Sequence, residues 1–130
     1  MLTLQEHKEI HAKVKSGADF PAYIQAIKNK GISSYETYVS DGHTVFRGEN
    51  NEQIISEPKY PNKHIADTSS VEMLKNALSI HQQGQTDYPT FCQQAADAGV
   101  DKWAVSTGAL TCTYLNKAAG VMLEESIPQA

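Results

Sequence analysis

The chain has little of most things that announce a chemistry. Two cysteines, Cys92 and Cys112, are too few for a disulfide framework or a zinc set. Lysine and arginine number 11 against 15 aspartates and glutamates, and the net charge of −4 leaves no dense basic face for nucleic-acid phosphates. No apolar run approaches the roughly 18 residues of a membrane-crossing helix. The opening residues, Met1 to Glu9, contain neither an apolar h-region nor a small-residue cleavage site, so a secretory signal is not expected and a reduced, cytoplasmic setting is. A phosphate-cradling glycine loop, a nucleophile elbow and a Cys-x-x-Cys pair are all missing, and no cofactor is implied. What is present is ordinary. A chain of 130 residues, 40% apolar and 20% charged, is one soluble domain with enough material for a hydrophobic core.

The chain reads as if written twice. Asp19-Phe20-Pro21-Ala22-Tyr23 matches Asp87-Tyr88-Pro89-Thr90-Phe91 at an offset of 68, and the offset carries on through Gln25/Gln93, Gly31/Gly99, Tyr35/Trp103, Phe46/Tyr114 and Ile54/Met122. Upstream, His11 can be set against His81 if two residues are dropped. Aspartate, proline and glycine have positions dictated by backbone geometry, which gives their recurrence weight. The expected organisation is one domain, 1–130, of two repeats, about 1–58 and 69–127, joined by a proline-containing connection from Pro58 to Asp67.

Each half predicts two helices and three strands. The first helix, about Thr3 to Lys15, places Leu4, Ile10, His11 and Val14 along one side and ends at Ser16-Gly17. Asp19 is expected to cap the second, whose stripe is Tyr23, Ile24 and Ile27. Ser69 with Glu72 reads as a capping box for the third, with Val71, Leu74, Leu78 and Ile80 inward. The fourth runs from about Asp87 to Ala98 with Phe91, Cys92 and Ala95 inward. After Gly31 and Gly99 the hydrophobic period changes from 3.6 to 2. Asp41-Gly42 is the strongest hairpin signal; read as a two-residue turn it pairs Val39 with Thr44 and Thr37 with Phe46. One face then collects Tyr35, Thr37, Val39, Thr44 and Phe46, the other Glu36, Tyr38, His43, Val45 and Arg47. Gly108-Ala109 gives the second hairpin an inner face of Trp103, Val105, Cys112 and Tyr114. The fold class is α+β: an internally duplicated α-α-β-β-β unit whose strands share one antiparallel sheet, with helices packed on one face.

Few residues suggest chemistry. His7 and His11 stand at the helical spacing that lets two imidazoles hold one metal ion, but no third ligand is nominated and no metal is assigned. Asp41 beside His43 is both a turn former and an acid–base pair. Glu36, Tyr38, His43 and Arg47 correspond by offset to Ala104, Ser106, Thr111 and Leu115, so the outer face of the first hairpin is ionisable and that of the second is bland. These four are ligand-binding candidates; drift on a solvated face is the alternative. Lys59 and His64, in the connection, are candidates for bordering an anion pocket between the halves, against a plain linker. Cys92 and Cys112 read as core filling.

The stretch from His11 to Pro21, Ser34-Tyr35-Glu36-Thr37 with Asp41-Gly42-His43-Thr44-Val45, His81 to Cys92, and Gly99 to Trp103 continuing to Thr111-Cys112-Thr113-Tyr114 resemble the uncharacterised bacterial YbcV-like family over nearly the whole chain. Its members are often labelled phage envelope proteins, a label that implies a phage-related setting but no catalytic residue. The expectation is a small cytoplasmic, prophage-associated binding or accessory module of unknown biochemical function. The alternatives are a small-molecule binder or enzyme using the first hairpin's outer face or the inter-repeat groove, and a virion-associated structural protein. No nucleic acid or membrane is expected as partner; a homodimer or another protein is left open.

Overall fold

Glycine punctuation and the change of hydrophobic period account for most of the architecture. The computed structural model describes residues 3–13, 19–48 and 51–127. In order these form α1 (Leu4–His11), α2 (Phe20–Asn29), β1 (Ile32–Tyr38), β2 (Thr44–Gly48), β3 (Gln53–Ile55), α3 (Val71–Gln82), α4 (Tyr88–Asp97), β4 (Lys102–Ser106), β5 (Thr111–Leu115) and β6 (Val121–Ser126). Gly31 and Gly99 end α2 and α4 with φ of +94° and +90°, a left-handed turn that frees each chain to start a strand. The six strands make one antiparallel sheet in the order β3-β2-β1-β4-β5-β6. Three strands with two short helices would be marginal alone, and the central β1–β4 pairing merges them into one core.

Helices cover one face only. Rings of α1, α2 and α4 meet the inner-face aromatics: His7 with Phe46, Tyr23 with Tyr35, and Phe91 with Trp103. Ile24, Ile27, Leu74, Val100 and Val105 are sealed among them, each burial contributing about 1.5–3 kcal/mol. No described helix is long and apolar enough to cross a membrane.

Several expectations need correction. The first hairpin has a four-residue loop, Val39 to Gly42, closed by the Tyr38 N–H to His43 carbonyl bond of 2.9 Å. Thr37 therefore faces Thr44 and Tyr35 faces Phe46, a slip of two residues from the expected register. A slip of two preserves parity, so both predicted faces stand and the inner five are buried. Gly42 takes φ +77° as the last loop residue, and a Cβ there would lie 2.8 Å from the Tyr60 ring. The second hairpin likewise turns through four residues, Thr107 to Leu110.

The helices differ in detail. α1 stops at His11 and is opened by a Thr3–Glu6 capping box. None of the eight described residues of α1 is buried: Leu4 is exposed, Ile10 is partly covered, and the half-buried inward position belongs to His7. Val14, Ser16 and Gly17 lie outside the described residues. Asp19 adopts helical angles and makes no side-chain cap bond to α2. α3 is capped by Ser70, one residue later than expected, and buries Ala77 in addition to Leu74 and Leu78, while Val71 is exposed. Ile54 faces Phe46, but Leu123 rather than Met122 faces Tyr114, with a register shift between Tyr114 and Leu115.

Candidate functional site

The uncovered face of the sheet carries an ionic and aromatic network at its centre. Glu36 on β1 stands opposite Val45 of β2 and Ala104 of β4, so Arg47 and Lys102 reach it diagonally from either side. Arg47 Nη1 bonds Glu36 Oε1, and Lys102 Nζ lies 2.7 Å from Oε2. The Lys102 ammonium does most to hold the Glu36 carboxyl below its ordinary range; partial burial pulls it up, and Arg47 pulls it down again. Lys102 is raised in return, chiefly by its bond to Glu36. The same ammonium sits 5.5 Å from the centre of the Tyr38 ring.

Tyr38 and His43 face each other at the hairpin end, with ring centroids 4.5 Å apart and planes within 5°. His43 is oriented from behind by Asp41, whose Oδ1 accepts from the His43 backbone N–H at 3.0 Å and from its ring Nδ1 at 2.5 Å. Burial raises the Asp41 carboxyl, but the His43 bonds together outweigh it and leave it lowered. An ionised carboxylate only accepts, so Nδ1 carries a proton and Nε2 is the ring nitrogen left to face a ligand. The result is an oriented imidazole stacked on a tyrosine whose ring also carries the Lys102 ammonium, suited to hydrogen-bonding and charge recognition.

The structure thus brings Glu36, Tyr38, His43 and Arg47 together and adds Asp41 and Lys102. Lys102 was invisible in the sequence because it comes from the other half; only the β1–β4 register places it opposite Tyr38. The two connection residues are not part of this network. The Lys59 N–H donates to the Asp41 carbonyl at 2.8 Å, and its side chain packs against Gly42 on the way to the helix side, where its charge acts on His7 and His11. His64 is exposed and acts on Asp67, which pairs with Lys117 at 2.7 Å after β5. The His7 and His11 rings are stacked 5.6 Å apart, and no cluster of three metal-ligating His, Cys, Asp or Glu side chains occurs among the described residues.

A family model described as a protein of unknown function, DUF1398, matches residues 8–126. The chain belongs to the DUF1398 family. The matched span holds every member of the outer-face network and stops one residue short of His7. No curated protein matches the chain. Within this DUF1398 domain both cysteines are buried, Cys92 on α4 and Cys112 on β5. Burial pushes the Cys112 thiol up to about 12; it also raises Cys92, against the pull of the neighbouring Tyr60 and Tyr88 hydroxyls. Neither thiol has the lowered pKa of a nucleophile.

Proposed function

We propose that this DUF1398 protein is a binding or accessory module whose polar ligand lies across β2, β1 and β4 on the open sheet face, contacting Tyr38, His43 Nε2 and the Arg47–Glu36–Lys102 array. The observation that carries the reading is the convergence of these side chains in one place, while the corresponding positions of the second hairpin hold Ala104, Ser106, Thr111 and Leu115. The correspondence rests on reading the domain as two repeats, about 1–58 and 69–127. Register supports that reading: Tyr35 faces Phe46 as Trp103 faces Tyr114, and Thr37 faces Trp103 as Tyr35 faces Val105, which is what a two-fold axis through the Glu36–Ala104 pair requires. A packed scaffold needs its core positions in both copies; it does not need this ionic set in one. The likeness to YbcV-like sequences adds a bacterial, phage-related setting.

A thermal-shift screen with metabolites tests the proposal. A compound that raises the melting temperature of the wild type should lose that effect with Tyr38→Ala, His43→Ala and Arg47→Ala. If all three variants respond to every such compound as the wild type does, the outer face is not the site.

A further inference from the structure

On the helix side, α1 is held over β2 by an unusual contact. His7 Nε2 lies 2.5 Å from the Tyr23 hydroxyl, and its ring packs 4.6 Å from Phe46. Burial, then the charges of His11 and Lys59, bring His7 down to about 4, so a neutral imidazole shares one hydrogen bond with the Tyr23 hydroxyl. His11 is 5.6 Å from both the His7 and Tyr23 rings. Lys59, anchored through its backbone on the hairpin loop, has no carboxylate partner among the described residues. Among the described residues no salt bridge joins Lys59 to Glu57, two residues before it, or either histidine to Glu9, which lies between them in sequence; Glu6 pairs with Lys30 at 3.0 Å and Asp41 with His43. Two imidazoles and a phenol therefore pack together within the field of an exposed ammonium that no described carboxylate pairs.

The second half shows that the architecture does not need them. His81 stacks on Phe91 at 4.8 Å where His11 meets Tyr23 edge-on at 5.6 Å, but Phe91 has no hydroxyl. Four residues before His81, where His7 precedes His11, stands buried Ala77. Ile127 stands at the offset position of Lys59; its N–H bonds the carbonyl of Leu110, the counterpart of Gly42, one residue on from that of Asp41, and Ile127 is buried and aliphatic. Three polar groups in one half are replaced by a methyl, a phenyl and an aliphatic chain in the other. We propose that His7, His11, Tyr23 and Lys59 form a second site, separate from the outer face, that binds a small oxyanion, the carboxylate or phosphate group of an organic acid. Such an anion supplies the missing counter-charge to Lys59 and a partner for the imidazole N–H groups. The cluster suits a metal ion less well, since His7 Nε2 is already taken by Tyr23 and the stacked rings do not converge.

The test is the histidine Cε1–H signals of the full chain by NMR, titrated in separate samples with inorganic phosphate and with benzoate. Saturable shifts of His7 and His11 at millimolar concentration are expected with at least one probe, and which one identifies the oxyanion. Lys59→Met should weaken that binding about tenfold or more, and Lys59→Arg should largely retain it. His7→Ala, which copies the second half, should abolish the response of His11. The proposal fails if neither probe gives a saturable shift, if Lys59→Met binds like the wild type, or if only Zn²⁺ moves the two signals.

Discussion

Acid should weaken this protein through one half-buried histidine. His7 moves from 6.5 to about 4 on folding, because its neutral ring is enclosed by Phe46, Tyr23 and His11 with Lys59 near by. A histidine whose pKa falls on folding keeps its full contribution above 6.5 and loses it as pH drops toward 4, since the unfolded chain takes up the proton first. The fall from 6.5 to about 4 corresponds to an upper bound of about 3.4 kcal/mol, and solvent screening of a half-exposed ring reduces that to about 1–2 kcal/mol. His11 shifts in the same direction and adds to the slope. Urea unfolding followed by the fluorescence of Trp103, measured at pH 7.5 and pH 4.5 for wild type and His7→Leu, isolates the contribution of this histidine. The variant should lose about 1–2 kcal/mol less than the wild type between the two pH values. Equal losses would show that His7 is not enclosed as described. With none of its described residues buried, α1 should also be the first element to exchange its amide protons in acid.

Other perturbations probe the scaffold and the network. Gly99→Ala forces a side chain into φ +90° with its Cβ 2.8 Å from Ser69 Cα, and should cost about 2–4 kcal/mol in urea unfolding. Glu36→Gln removes the shared carboxylate of Arg47 and Lys102 on a solvated sheet face, so stability should fall by no more than about 1 kcal/mol at neutral pH. A larger loss would mark the network as structural rather than as a ligand surface. Cys92 and Cys112 are buried with raised thiols, and a colorimetric thiol reagent should find neither until denaturant is added.

Much of the fold was legible because it depends on parity and punctuation. The inner set Tyr35, Thr37, Val39, Thr44 and Phe46 is right although the register was read two residues off, because an even slip keeps each side chain on its face. The slip itself has a non-local cause. Asp41-Gly42 signals a two-residue turn, but the Lys59 and Lys63 backbones and the Tyr60 hydroxyl bond Asp41, Ser40 and Val39 and hold a wider loop. His7 was left out of the inward stripe of α1, although His11 was included, because Leu4 and Ile10 set the expected stripe and the partner that draws His7 inward, Tyr23, lies 16 residues away. Of the outer-face network, the members within one hairpin were readable from alternation. Lys102 was not, since it joins Glu36 and Tyr38 only through the pairing of the two halves.

Amide chemical-shift mapping with whichever compound stabilises the wild type most tests the central claim directly. The account predicts that perturbed amides cluster on residues 36–47 and at Lys102, with Ser106, Thr111 and Leu115 unmoved. Perturbations centred on the second hairpin, or spread evenly over both, would contradict it.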